Sequence, residues 1–181
     1  MQLDEDTAKH IVQVLRMQVG EALRVTNGNG DVADAVITDA AKKRCAVTLT
    51  NVTHHEPAKH KLHLAVAFTK NTSRNEWLLE KATELGVSSI IPLMAARSEK
   101  ERVRAERWTG ILISAMMQSQ QYYLPILASP TKFADVLNQY KDVPQKLVGH
   151  CMDDVPRQSL TKAMQPAKET IVLIGPEGDF T

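Results

Sequence analysis

The sequence predicts an α/β fold, a mostly parallel sheet with helices on its faces, preceded by a small antiparallel β domain. Three observations lead there. From Leu62 onward, apolar strand segments alternate with helical ones; from Gly20 to about Val52 the texture is short and β-like; and a hydrophobic content of 43% over 181 residues is enough for real cores.

The elements follow in order along the chain. A short helix over about Asp6 to Leu15 places Ile11, Val14 and Leu15 at helical spacing, expected against the first sheet. Ala22 to Val25 reads as a strand and leads into Asn27-Gly28-Asn29-Gly30, residues that accept positive φ. Val32 to Ile37 returns as its partner, and Cys45 to Leu49 alternates again, giving a small sheet or barrel before residue 55. Leu62 to Phe68 is nearly all apolar, as a strand covered on both faces should be. Ser73-Arg74-Asn75-Glu76 has the spacing of a capping box, opening a helix that runs to Leu85 and stops at Gly86. Ser89 to Met94 (strand), Ala105 to about Gln120 (helix), Pro125 to Leu127 (strand) and Phe133 to Tyr140 (helix) come next. Lys146 to His150 and Thr170 to Ile174 complete the strands. The expected domains are therefore residues 1–55 and 61–181.

Composition narrows the function classes. No run approaches the ~20 apolar residues of a membrane span, and the acidic start Asp4-Glu5-Asp6 is unlike a secretory signal, so a cytoplasmic protein is expected. Cys45 and Cys151 lie far apart and in no CxxC pattern, which suits a reducing compartment and argues against a zinc site. His54, His55, His60 and His63 carry no carboxylate or thiolate at a zinc spacing; a solvated linker around Pro57 is the simpler expectation, with no metal. A net charge of +1 gives no global pull on a polyanion. Locally, Arg97, Lys100, Arg102, Arg104 and Arg107 outnumber Glu99, Glu101 and Glu106, either as an RNA-facing patch or as a solvated helix face.

Ligands of parallel sheets bind beyond the carboxyl ends of the strands. Those positions hold Thr69-Lys70-Asn71, Ala95-Ala96-Arg97-Ser98, His150-Cys151-Met152-Asp153 and Gly175-Pro176-Glu177-Gly178. The last loop lacks the lysine and hydroxyl of a phosphate-binding P-loop, and no GxGxxG occurs. Trp77 and Tyr122 are candidates either for stacking on a base or for core and interface packing, and Met116-Met117 for core or dimer packing.

The motifs His10-Ile11-Val12-Gln13-Val14-Leu15-Arg16-Met17, Phe68-Thr69-Lys70, Glu76-Trp77, Lys81-Ala82-Thr83-Glu84-Leu85-Gly86-Val87, Ile91-Pro92-Leu93 and Ile174-Gly175-Pro176-Glu177-Gly178 occur in this order over nearly the whole chain. This set resembles the RsmE family, ribosomal RNA uridine-N3 methyltransferases of the SPOUT superfamily. The resemblance implies a PUA-like RNA-binding β-barrel, then a SPOUT-type parallel sheet with a C-terminal trefoil knot. It also implies S-adenosylmethionine as cofactor, 16S ribosomal RNA of the small subunit as partner, and a homodimer. The family's final strand, closing cofactor loop and C-terminal helix would lie beyond Thr181, and its first barrel strand ahead of Met1. A fragment with an incomplete knot is therefore expected. Met117-Gln118 and Asp179 stand where the family commonly has Glu-Gln and Gly.

Carried over by motif, the cofactor would be held by Ile174, Gly175, Pro176, Glu177 and Gly178, with His150, Cys151 and Met152 as another wall. Lys70 and Arg97 would supply positive field to the reacting base, with Glu84 as proton acceptor, or else merely paired with Lys81 at (i, i+3). His10, Arg16, Lys70, Arg74, Lys81, Arg97 and Gln118 fall on the RNA-facing surface the resemblance implies; for His10 and Arg16 a structural role is the alternative. The other reading of the whole chain is a non-catalytic RNA-binding or dimerisation module.

Overall fold

In the computed structural model, which describes residues 1–94, 105–151, 156–165 and 168–176, the chain divides into two compact units, Met1–Pro57 and Ala58–Thr181.

The first unit is a three-stranded antiparallel sheet of β1 (Ala22–Thr26), β2 (Asp31–Ala41) and β3 (Arg44–His54) in that spatial order. Asn27 organises the β1–β2 turn: its Oδ1 accepts from the Asn29 and Asp31 amides, and Gly28 and Gly30 take the positive φ that the turn requires. Gln2 bridges to Ala46 on the far edge. The core joins Ala8 and Ile11 to Ala35, Ile37, Cys45 and Val47. Burial pushes the Cys45 thiol up, Asp39 adding to it, so this sulfur is a small apolar filler.

The entering helix differs from the expectation. Only α1 (Glu5–Lys9) is α-helical, capped by the Asp4 side chain on the Thr7 amide, and His10–Val14 continues as a π-turn with the Leu15 N–H donating to the His10 carbonyl. The wider turn rotates later residues off the 3.6-residue register. Ile11 stays buried, but Val14 and Leu15 are exposed, contrary to the spacing argument.

The second unit is a parallel sheet: β4 (Leu62–Val66), β5 (Ser89–Met94), β6 (Ile126–Leu127), β7 (Thr131–Lys132), β8 (Gln145–Gly149) and β9 (Thr170–Ile174). The spatial order is β6-β5-β4-β9-β8, with β7 also pairing β5. α2 (Thr72–Glu84) and α3 (Ala105–Gln118) cover one face through Leu79, Ala82, Trp108 and Leu112. α4 (Phe133–Gln139) covers the other through Val136 against Ala65, Ile91, Ile171 and Leu173. α5 (Leu160–Ala163) and β7 are too short to show a period in the sequence.

Three local expectations are corrected. The cap of α2 is Asn71, whose side chain accepts from the Arg74 amide, not Ser73 in a capping box; an Asx cap two residues earlier leaves Glu76 to pair with Arg107. His54 and His63 are not linker residues: His54 is on β3, bonded to Asp31, and His63 is buried on β4. Of the readings of Trp77, core packing does not hold, since it is 63% exposed; Met116 is buried, as core packing expects, and Met117 is exposed.

Candidate active site

The chain order reverses beside β4. It leaves β4 outward to β5 and β6, then crosses to β8 and comes back to β9, which pairs with β4 on its other side. The carboxyl ends of β4, β9 and β8 therefore sit side by side at a topological switch point. Val66, Ile174 and Gly149 are aligned there by register, and the Ala67 N–H extends the ladder by donating to the Ile174 carbonyl at 2.9 Å.

That rim gathers Thr69, Lys70 and Asn71 beyond β4, Gly175 and Pro176 beyond β9, and His150 and Cys151 beyond β8. Arg74 is on the first turn of α2, just past Asn71. Arg97, Met152, Glu177 and Gly178 lie outside the described residues.

Other predicted residues stand elsewhere. α2 runs back along the sheet, and at ~1.5 Å per residue Glu84 is roughly 18 Å from Thr72. It reaches the amino end: the Ser88 N–H donates to the Leu62 carbonyl, and Gln121, just past α3, donates its side-chain N–H to the Glu84 carbonyl. Lys81, Glu84 and Gln118 therefore belong to the opposite end from Lys70. Lys81 Nζ is 2.8 Å from Glu80 Oε1 and 2.9 Å from Glu84 Oε1. Glu80 first and Glu84 second push the Lys81 ammonium up, and Lys81 holds the Glu80 carboxyl down. The (i, i+3) pairing of Lys81 and Glu84 is what the structure displays. His10 and Arg16 are in the first unit, Arg16 with φ 57° where the chain turns out of the π-turn.

Three buried side-chain atoms among the described residues have no hydrogen-bond partner: His150 Nδ1, Trp108 Nε1 and Glu76 Oε1. His150 follows β8 directly. Trp108 is in the first turn of α3, edge-on to Phe68 beyond β4 at 4.7 Å. Glu76 is in the second turn of α2; Arg107 Nη2 donates to its Oε2 at 2.8 Å, while Nε approaches Oε1 at 2.6 Å as an ion pair without hydrogen-bond geometry. Of the three, His150 is the one that directly follows a strand end; a buried polar atom left unpaired costs free energy, so a ligand with a polar group of its own would be favoured there. A groove of about 420 Å³ between α2 and α3 opens on the helix face instead; it is lined by Gln118 and by Arg107 of the expected basic patch.

Asn75 was missed by sequence reasoning, which read it only as part of a capping box. Its side chain, 3% exposed, holds the backbone of Thr69. The signal was available: Asn75, Leu79 and Ala82 fall at i, i+4 and i+7, so an amide occupies the core-facing stripe of α2.

Residues 56–181 match the RNA methyltransferase domain family, and residues 3–50 the RNA methyltransferase PUA domain family. A relative from Rickettsia conorii named ribosomal RNA small subunit methyltransferase E is 30% identical, the match covering 100% of this chain and 74% of that protein. Among solved structures, a probable rRNA-methyltransferase from Porphyromonas gingivalis superposes with a TM-score of 0.90 at 35% identity, over 99% of this chain and 76% of the other. A Legionella pneumophila methyltransferase solved with bound cofactor SAM gives 0.84 at 29% identity, over 100% and 76%.

Proposed function

This chain belongs to the RNA methyltransferase family, within it to the ribosomal RNA small subunit methyltransferase E proteins, and on that premise we propose that it methylates a uridine at N3 in 16S ribosomal RNA. The observation that carries the reading is the switch-point rim, where the ends of β4, β9 and β8 lie side by side and His150, just past β8, keeps a buried Nδ1 without a partner.

The rim fits S-adenosylmethionine. A nucleoside carrying an amino acid offers donors and acceptors to His150 and to the backbone of Ile174, Gly175 and Pro176, and Glu177, Gly178, Cys151 and Met152 complete the proposed set. When bound, the cofactor supplies an electrophilic sulfonium methyl. The protein's part is to hold the uridine ring in line with it and to favour the imide anion that attacks. Lys70, on the turn beside the cofactor loops, supplies positive field to that anion together with Arg97, and the imide proton leaves to water. Glu84 is not placed to accept it within this chain. N3 is paired in a duplex, so the target uridine must be unpaired or extruded.

The finer architecture belongs to the same proposal: a SPOUT-type knot over the β9 end, a PUA-like barrel closed from the three-stranded sheet, with His10 and Arg16 toward RNA and Arg74 beside Lys70. A cytoplasmic homodimer fits exposed Trp77 and Met117 on α2 and α3, and among the described residues no helix is long and apolar enough to cross a membrane. The test is incubation with small-subunit RNA and S-adenosylmethionine, followed by mass spectrometry of the digested nucleosides. N3-methyluridine is expected. Cofactor and RNA binding without any methyl transfer would instead make the chain a binding module.

A further inference from the structure

Beyond the predicted residues, one side chain governs the backbone next to Lys70. β4 ends at Val66, and the chain must leave the sheet before α2 begins at Thr72. A segment leaving a sheet loses its ladder partners, so its amides need others. At Thr69 both are supplied by Asn75: the Thr69 N–H donates to Asn75 Oδ1 at 2.9 Å, and Asn75 Nδ2 donates to the Thr69 carbonyl at 2.8 Å. The primary amide stands in for a neighbouring strand. On the other side of Lys70, Asn71 donates its N–H to Thr69 Oγ1 at 3.3 Å and caps α2 through Arg74. Lys70 is thus between two residues whose backbones are fixed by side chains, three residues past the point where Ala67 meets Ile174.

We infer that Asn75 is a positioning residue for methyl transfer: it fixes the Thr69–Lys70 turn so that Lys70 meets the reacting base at the switch-point rim, without touching cofactor or RNA itself. This rests on the methyltransferase reading above. The choice of residue follows from the two bonds. Aspartate keeps an acceptor for the Thr69 N–H but sets a carboxylate against the Thr69 carbonyl. Leucine fills the space and leaves both backbone groups unpaired. Neither change alters a group proposed to touch the ligands.

The experiment measures kcat, the KM for RNA and the Kd for S-adenosylmethionine with Asn75→Asp, Asn75→Leu and the control Thr83→Val in the full chain. Thr83 is buried at the far end of the same helix, its hydroxyl bonded to the Leu79 carbonyl, so the control perturbs α2 without reaching the turn. A displaced catalytic group costs on the order of 10- to 100-fold in rate, so kcat should fall by that factor in both Asn75 variants while Kd and KM hold within about twofold. Thr83→Val should keep wild-type kcat even where its Tm drops. If Asn75→Leu does not fold, Asn75→Asp decides. Folded Asn75 variants with wild-type kcat, or a fall in kcat matched by Thr83→Val, would overturn the inference while leaving the family reading intact. A wild-type protein that neither binds the cofactor nor transfers methyl would overturn both.

Discussion

The two ends of the parallel sheet each bury a histidine nitrogen, and they are finished in opposite ways. At the amino end, His63 has both ring nitrogens engaged: Nδ1 is 2.7 Å from Ser89 Oγ and Nε2 is 2.9 Å from Glu169 Oε1. A carboxylate only accepts, so Nε2 carries the proton, and the ring also packs on Tyr140 at 5.0 Å. Gln145 is equally saturated, donating to the Ala163 carbonyl and accepting from the Gln165 amide and the Thr170 hydroxyl. At the carboxyl end, His150 Nδ1 is buried with nothing to bond. The Ser89, His63 and Glu169 series has the residue types of a hydrolase triad, but Ser89 is 4% exposed and out of reach of a substrate. The saturated end is finished as scaffold, and the unpaired end is the one we propose for the ligand.

The largest effect should come from breaking the saturated end. His63→Ala removes a buried ring and the short partner of Ser89 Oγ, leaving that hydroxyl a longer contact with Tyr140, an expected loss of about 3 kcal/mol and roughly 10 °C in Tm, read by thermal melting. Cofactor affinity should stay near wild type; a collapse of binding in a folded His63→Ala protein would mean that the two ends are not separable. Gln145→Ala comes next, at about 2 kcal/mol, since it frees three partners around α5 and the start of β9. A loss under about 0.5 kcal/mol in denaturant melts would show that water replaces the amide and that the end is less closed than its geometry suggests.

Smaller still is the acid response, which belongs mostly to the first unit. Bonds from Thr7 hold the Asp4 carboxyl below its ordinary value, Lys9 and Lys43 lower Glu5, and His54 lowers Asp31. Each folded form binds its proton less readily than the unfolded chain. The stability these groups add is therefore present above the ordinary carboxylate range and is lost as pH falls through the lowered folded values. Asp31→Asn should lower Tm slightly at neutral pH, flatten the fall of Tm below about pH 4, and converge with wild type in acid. An unchanged slope would show that the Asp31–His54 bond is fully screened.

The alternation of strand and helix made the second unit readable, because a buried parallel strand such as Leu62 to Phe68 cannot disguise its apolar run. Strand ends then pointed to Lys70, His150 and Gly175 without any structure. What the sequence could not deliver were competitions between near-equal local choices: Asn71 over Ser73 as a cap, and a π-turn over a straight helix at His10. His63 was placed on its strand, but its buried role was hidden, because four nearby histidines suggest a solvated tract and its partners Ser89 and Glu169 are distant in sequence. Glu84 looked like a site residue by motif, although the rise per residue of α2 alone carries it to the other end of the sheet. Asn75 was hidden because two bonds to a backbone leave no motif.

The most direct test of the account is isothermal titration of S-adenosylmethionine into the wild-type protein and His150→Ala, with a thermal melt of each. The account predicts that His150→Ala melts within about 2 °C of wild type, since the lost nitrogen had no partner in the fold, yet binds the cofactor about tenfold more weakly. Equal affinity in the two proteins, or a large loss of stability in His150→Ala, would contradict the claim that the unpaired end of the sheet is the ligand's.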